Sequence, residues 1–269
     1  MYSSTESCSP IRRSSRQQGG VRTCFSYQSL ARIARRFNEA NPSNPIVVSR
    51  NRDELWHAIR QRIPECKDER CWIQARWMTG DDKSVIEEDF KPPIPQGKYA
   101  WLNSDDIDRV LYQYERIVPT FRFVGTHPVD FQSVTPAVWS MMKQHIRSSR
   151  VKMIGLVLNL DYHDEPGSHW VAVLLDKSSR TLEYFDSFGD DAPPEVYKLS
   201  ERLPHGWSMV VNKVAHQQKN SECGNYAINF IVQRISGSSF KQVTSNVIRD
   251  ERMNSKRRDF FDPHHSYAN

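Results

Sequence analysis

The chain has 269 residues, a formal net charge of +5 and five cysteines. A chain of this length can bury an ample core, in one large domain or in a domain with a substantial extension. No apolar run approaches the ~20 residues that a bilayer-spanning helix needs, and the first residues lack the apolar core of a secretory signal. We therefore expect a soluble, non-secreted protein without a membrane contact. The sparse, odd set of cysteines favours free thiols in a reducing compartment over a disulfide framework.

The positive charge is concentrated near the N-terminus. Residues 1–40 contain seven arginines against Glu6 and Glu39, and the remainder of the chain is close to neutral. Residues 1–25 are rich in Ser, Arg, Gln and Gly, a composition that predicts a basic, disordered arm. Such an arm is either a solvated tail or a contact for nucleic acid, although it offers few aromatic side chains for stacking on bases.

Helical spacing of apolar residues dominates the region that follows the arm. Three segments show this spacing: residues 26–40, 52–63 and 67–78. The proline-rich stretch 90–100 interrupts the pattern and is typical of a linker. We therefore predict an N-terminal helical extension at 26–95 and a second domain at 96–269. Cys66 and Cys71 have no partner pair of Cys or His at zinc-finger spacing, so we expect no metal site.

The second domain contains both helical and strand patterns. Asn103 or Ser104 can cap a helix with an acidic first turn, and Thr135 followed by Pro136 can begin another. Four segments have the composition of strands: 151–160, 169–176, 181–188 and 207–215. Helical spacing returns at 193–203 and after Ser221 and Ser238. This order predicts an α+β fold in which helices flank a central mixed or predominantly antiparallel sheet.

Two of the strands predict a hairpin that brings a histidine close to a carboxylate. A four-residue loop pairs Asp176 with Thr181, and in that register His169 lies opposite Phe188, with Asp186 on the diagonal. A two-residue loop sets His169 directly against Asp186. In either register the two side chains share a face, with Cβ atoms ~5 to 8 Å apart. A carboxylate so placed can orient an imidazole general base, although a half-exposed hairpin with polar residues facing water gives the same pattern.

A helix with an apolar stripe begins close to Cys223, and Ser221 can cap it. A thiol at a helix N-terminus faces unpaired backbone N–H groups and the positive end of the helix dipole, which favour the thiolate. Gly224 leaves room beside the sulfur for a substrate backbone. Gln217, or equally its neighbour Gln218, can donate a hydrogen bond to a developing oxyanion together with the Cys223 N–H. Each feature also has a purely structural explanation, as a buried first residue of a helix or a solvated loop amide.

In combination, these residues resemble the Ulp/adenain-like cysteine proteases. That clan includes the SUMO-specific proteases, the adenovirus maturation protease and capsid-maturation proteases of large DNA viruses. The resemblance is carried by "WLNSDDID", "HW", "YFDS" and a glutamine before Cys-Gly, in the family's order, and covers about residues 100–250. The 17-residue step from His169 to Asp186 and the six-residue step from Gln217 to Cys223 are also similar to the family's spacing. The N-terminal helical extension is most similar to the large-DNA-virus branch.

The resemblance implies a catalytic site and a reaction. Cys223 is implied to be the nucleophile and His169 the general base and then acid. Asp186 is implied to orient the imidazole, and Gln217 to donate to the oxyanion. Trp170 resembles a tryptophan that roofs a narrow channel in relatives and accounts for their preference for Gly-Gly before the scissile bond. The implied activity is a cysteine endopeptidase that forms a thioester with polypeptide substrates, needs no metal or other cofactor, and matures viral structural polyproteins.

Two other functions fit parts of the same pattern. A deconjugating isopeptidase would remove SUMO or another ubiquitin-like protein, whose tail also ends in Gly-Gly, and it would need a broad surface for that protein. A non-catalytic binding module would retain the fold without turnover, but such a module has no need for all four catalytic residues. The location implied by the resemblance is the cytoplasm of an infected host cell or the virion.

Overall fold

The computed structural model describes residues 6–13, 20–219 and 221–267. The chain divides into two compact units: the first extends to Ile94 and includes Arg258–Tyr267, and the second spans Pro95–Arg257. The C-terminal segment therefore belongs with the N-terminal unit, which differs from the continuous domain that we predict at 96–269. None of the helices in the described residues has the length and hydropathy to cross a membrane.

The first unit is mainly helical in its described residues. Its elements are α1 (Pro10–Arg13), α2 (Tyr27–Ala40), α3 (Arg52–Arg62), α4 (Glu69–Gln74), α5 (Asp81–Glu87), β1 (Pro93–Pro95) and β7 (Asp262–Tyr267). The core of the unit is aromatic, because Phe25 stacks on Trp72 with 5.8 Å between ring centroids and meets Phe90 edge-on at 5.1 Å. The third predicted helix is shorter than its pattern, since the chain becomes extended at Ala75.

Four of the five cysteines form disulfides, so our prediction of free thiols is wrong for them. The bonds are Cys8–Cys24 and Cys66–Cys71. Cys8 and Cys24 lie in the predicted disordered arm, where composition provides no reason to bring them together. The described part of the arm, residues 6–13 and 20–25, is ordered, with Cys24 and Phe25 fully buried. The prediction of disorder for 1–5 and 14–19 lies outside the described residues.

Ion pairs within the first unit involve several arginines of the basic N-terminal region. Arg12 pairs with the buried Asp89 at 2.5 Å, while Arg32 and Arg36 both pair with Asp82, at 2.5 and 2.7 Å. Each of these carboxylates comes from outside residues 1–40. The positive charge of this region is therefore partly neutralised by the unit itself.

The second unit is built on a five-stranded sheet in the order β2–β3–β4–β5–β6. Its strands are β2 (Phe121–Pro128), β3 (Met153–Asn159), β4 (Trp170–Asp176), β5 (Thr181–Phe185) and β6 (Ser208–Val211). The three central strands are antiparallel neighbours and the two outer strands pair in parallel, which confirms the predicted mixed sheet. The sequence pattern does not predict β2, because a bulge between Phe123 and Thr126, at Gly125, interrupts its alternation.

Helices flank this sheet, as the α+β prediction requires. They are α6 (Ser104–Ile117), α7 (Phe131–Val134), α8 (Pro136–Arg147), α9 (Pro194–Glu201), α10 (Cys223–Ile235), α11 (Phe240–Ser245) and α12 (Asp250–Phe260). Asn103 caps α6 in a capping box with Asp106, and Pro136 is the first residue of α8, both as predicted. The side chain of Thr135 does not cap α8 and donates instead to the carbonyl of Phe131 at 3.0 Å.

The two faces of the sheet are covered by different helices. Residues of α8 and α9 share one hydrophobic cluster with β3 and β4, whereas Phe230 of α10 stacks on Phe185 of β5 with 4.8 Å between ring centroids. Since β4 and β5 are antiparallel, the residue before β4 and the residue after β5 lie at the same edge of the sheet. The candidate active site is at this edge.

Candidate active site

The β4–β5 hairpin places His169 against Asp186. Asp176 pairs with Thr181, which confirms the register of the four-residue loop. His169 Nε2 lies 3.0 Å from Asp186 Oδ1, and the ring of Phe188 stacks on the imidazole with 5.0 Å between centroids. Asp186 is 1% exposed and also accepts a hydrogen bond from the backbone N–H of Phe188 at 2.7 Å. The same oxygen, Oδ1, thus accepts from the Phe188 N–H and contacts the imidazole.

Cys223 is the first residue of α10 and is buried. Among the described cysteines it alone has a free thiol. The predicted cap by Ser221 is wrong, because Glu222 is the N-cap and no side chain caps the helix. The Glu222 carboxylate instead accepts hydrogen bonds from Arg257 at 3.1 and 3.2 Å. The first N–H groups of α10 thus keep their positive potential beside the sulfur.

The imidazole of His169 connects the buried carboxylate to the sulfur. Burial lowers the pKa of His169, but hydrogen bonds and negative charge from Asp186 and Cys223 outweigh it and raise this pKa from 6.5 to about 9. At neutral pH the ring is therefore an imidazolium. With Nε2 engaged by Asp186, Nδ1 is the nitrogen that can serve the sulfur. A raised pKa means that these contacts stabilise the fold fully below pH 6.5 and lose their effect as the pH rises through about 9.

The structure distinguishes the two glutamines that the sequence pattern leaves equivalent. Gln217 is 2% exposed, whereas Gln218 is exposed to solvent. Ser187 Oγ donates to Gln217 Oε1 at 2.6 Å, and Gln217 Nε2 donates to the carbonyl of Lys219. Because the acceptor end of the amide is occupied by Ser187, its NH₂ end is oriented and retains a second hydrogen for another acceptor.

Replacing Gln217 by alanine is expected to lower kcat for peptide cleavage on the order of 100- to 1,000-fold with little change in KM, because the resemblance implies that its amide donates to the transition-state oxyanion. Gln218→Ala is the matched control: it removes a side-chain amide of the same size one position further, on the exposed side, and should leave kcat within about twofold. Steady-state kinetics on one peptide compare the two variants, with thermal unfolding to check the fold. Equal effects of the two substitutions would exclude a specific role for Gln217.

Trp170 and Gly224 lie beside this group of residues. Trp170 Nε1 donates to the carbonyl of Leu102 at 2.8 Å, which fixes the indole next to His169. Our prediction that Gly224 leaves room for a substrate backbone is not supported by its surroundings, because a Cβ there would lie 3.0 Å from the Cβ of Leu102. The absent side chain lets Leu102 pack closely on the start of α10.

A cavity of about 680 Å³ opens next to Trp170. Its lining includes Trp101, Leu102, Val134, Tyr162, Pro166 and Trp170. Ser168 and Trp170, which flank His169 in the chain, both line it. The cavity is thus close to the candidate catalytic residues and has apolar and aromatic surfaces suited to side chains of a bound peptide.

Sequence reasoning missed two residues that shape the site. Ser187 orients the amide of Gln217, and Leu102 occupies the space beside Gly224. Ser187 directly follows Asp186, but its partner is 30 residues further along the chain. No local pattern indicates that contact.

The arrangement has the parts needed for acyl transfer. A thiol, an imidazole and a buried carboxylate stand in the order that a nucleophile, a base and its orienting group require, and the buried amide of Gln217 lies in the loop that leads to the thiol. Such a group can attack a carbonyl carbon, stabilise the oxyanion and transfer a proton to an amine leaving group. The fold and the site together define a cysteine peptidase.

Comparisons with known proteins agree with this class. The model of the Ulp1 protease family, C-terminal catalytic domain, matches residues 136–267. The chain is 26% identical over 268 residues to an Acanthamoeba polyphaga mimivirus protein named as a thiol protease, with 89% of both chains covered. It is 27% identical over 196 residues to a cysteine protease of African swine fever virus, covering 64% of this chain and 72% of that one. Residues 136–267 are thus similar to the catalytic domain of the Ulp1 protease family, and the chain is a cysteine protease.

The fold has a solved counterpart. The crystal structure of the African swine fever virus protease matches with a TM-score of 0.67 at 22% identity, and the match covers 96% of both chains. Because the match extends over nearly all of each chain, the common fold includes both the helical first unit and the sheet of the second.

Proposed function

We propose that this protease is an endopeptidase that cleaves viral structural polyproteins after Gly-Gly-like sequences. The observation that carries the proposal is the continuous contact of Cys223, His169 and Asp186, with the free thiol at the first residue of α10. A purely structural role, as a buried ion pair or a packed hairpin, would not require a free thiol, an imidazole and a carboxylate in sequence.

In the proposed reaction the Cys223 thiolate attacks the scissile carbonyl. The oxyanion accepts hydrogen bonds from the Cys223 N–H and from Gln217. The imidazolium of His169 protonates the leaving amine, which departs and leaves a thioester. The neutral imidazole then takes a proton from water, whose oxygen attacks the thioester and releases the acid. Asp186 orients the ring throughout.

The preference for glycine is supported by the indole of Trp170. Its hydrogen bond to Leu102 holds it beside His169, where it restricts the side chains of the residues next to the scissile bond. The cavity of about 680 Å³ beyond Trp170 can accept larger side chains further along the substrate. A substrate with small residues at the cut and a larger one nearby fits both features.

The proposed setting is virus assembly. The matched mimivirus and African swine fever virus proteins are both viral proteases. The disulfides of the first unit fit a virus particle better than a reducing cytoplasm, because disulfides persist on virions and are reduced in the cytosol. We therefore place the enzyme in the virus particle.

A second candidate is removal of a ubiquitin-like protein. Matched proteins of African swine fever virus are named as SUMO-1 cysteine proteases. The chemistry is identical, since the C-terminal tail of such a modifier presents the same Gly-Gly before the bond that is cleaved.

Cleavage of a mixed peptide library, read by mass spectrometry, distinguishes the two functions. The proposal predicts cuts that cluster after Gly-Gly or Gly-X-Gly and that are absent with Cys223→Ser. Turnover of a folded SUMO fusion without cleavage of the same sequence as a short peptide would instead favour deconjugation. Cuts after unrelated residues would contradict the proposed specificity.

A further inference from the structure

One face of the C-terminal helix α12 contacts the loop that carries the site. Asp250, Asn254 and Arg257 are spaced i, i+4 and i+7, so they lie on the same side of the helix. Asp250 Oδ2 accepts hydrogen bonds from the backbone N–H groups of Gln218 and Lys219, each at 3.0 Å. The side chains of Asn254 and Arg257 donate hydrogen bonds to Glu222, the residue that precedes Cys223.

That residue, Glu222, is deeply buried. Its side chain is 1% exposed, and it accepts hydrogen bonds from Arg257 at 3.1 and 3.2 Å, from Asn225 at 2.6 Å and from Asn254 at 2.9 Å. A buried carboxylate without a cation carries a large desolvation penalty. Without Arg257, this negative charge would be uncompensated on the residue directly before Cys223, where it would oppose the thiolate.

Arg257 connects the same carboxylate to a wall of the active site. Its Nη2 donates to the carbonyl of Ala100 at 2.6 Å. Two residues further, Leu102 packs on Gly224 and accepts the hydrogen bond from Trp170. One guanidinium, 3% exposed, thus contacts both the residue before the thiol and the segment that fixes the indole.

We propose that Arg257 is a positioning residue for the protease reaction, which neutralises and locates Glu222 and thereby fixes Cys223 and the wall at Leu102. The inference rests on the proposed role of Cys223 as the nucleophile. Asp106 on α6 interacts with Arg257 and Tyr226 on α10 with Glu222, while Asp250 on α12 accepts a hydrogen bond from Tyr226 and His169 contacts the thiol.

The test is the pH dependence of Cys223 alkylation by iodoacetamide, measured with kcat for one peptide. Arg257→Met is expected to move the alkylation profile to higher pH by about one unit or more. It is also expected to lower kcat about 10- to 100-fold, because the reacting groups lose their alignment. Adding Glu222→Gln to Arg257→Met removes the uncompensated charge and should return the alkylation profile towards that of the parent.

Arg234→Met is the matched control. Arg234 lies near the other end of α10, is 6% exposed and pairs with Glu183 at 2.6 Å and Asp176 at 3.1 Å. Its loss removes a buried cation of the same type and should lower the unfolding temperature without moving the alkylation profile. If Arg257→Met does not fold, Arg257→Lys is the second variant. Lysine keeps the positive charge but cannot donate to both Glu222 and the Ala100 carbonyl in the way the guanidinium does, so kcat should fall while the alkylation profile stays in place.

The inference is wrong if Arg257→Met and Arg234→Met give the same alkylation profile, or if Glu222→Gln does not reverse the shift. An unchanged kcat in folded Arg257→Lys also contradicts it. The role of Cys223 is tested separately, because full cleavage by Cys223→Ser would refute the proposed reaction whatever Arg257 does.

Discussion

Cys223→Ala is expected to abolish peptide cleavage, with a fall in kcat on the order of 10,000-fold or more. The methyl group cannot attack a carbonyl, and no other described cysteine can substitute, because the remaining four are in disulfides. The fold should persist, since alanine has high helix propensity and Cys223 is the first residue of α10. Kinetics with one peptide, together with circular dichroism and thermal unfolding, measure both effects.

Alkylation of the enzyme without any substitution supplies a second measurement of the same role. Iodoacetamide without a reducing agent should add one carboxamidomethyl group, at Cys223, and activity should disappear in proportion to that modification. Peptide mapping by mass spectrometry identifies the modified residue. Activity that survives complete alkylation of Cys223 would rule out thiol chemistry at this position.

Asp186→Asn is expected to lower kcat about 100- to 10,000-fold while leaving KM nearly unchanged. Asparagine has the same shape, so its Oδ1 can still accept from the N–H of Phe188, but it has no negative charge to stabilise the imidazolium. The desolvation of His169 is then less well opposed, and the pKa of His169 falls from about 9. The basic limb of the pH profile for kcat/KM should therefore move to lower pH.

Asp190→Asn is the control for this change. Asp190 follows in the same loop but is exposed, so the same loss of one negative charge should leave the profile in place. Profiles recorded for both variants and the parent at constant ionic strength separate a local effect from a change in net charge. A basic limb that stays in place for Asp186→Asn would mean that Asp186 does not stabilise the imidazolium.

The two predictions depend on different kinds of contact. The thiol is placed by the start of a helix, and its loss removes a reacting atom. Asp186 acts through His169, so Asp186→Asn leaves every reacting atom present and changes only the charge and orientation of the imidazole. The pH profile for kcat/KM distinguishes the two variants, because only Asp186→Asn should move its basic limb, which follows deprotonation of the imidazolium.

The sequence by itself determined the parts of the site that depend on local periodicity. Strand residues alternate between faces, so the hairpin sets His169 beside Asp186 in either register, and the apolar stripe of α10 begins at Cys223. The flanking helices and the central mixed sheet followed from the same periodicities. These features need no knowledge of distant residues.

Only the tertiary structure decided the rest. The orientation of the Gln217 amide depends on the contact with Ser187, and the pairing of Cys8 with Cys24 depends on packing of a segment whose composition predicts disorder. The sequence pattern assigned the cap of α10 to Ser221, whereas Arg257 and Asn254 of a distant helix hold Glu222 in place there. Each of these outcomes depends on contacts between residues far apart in the chain. Periodicity reports which face a side chain takes, but not which distant side chain it meets.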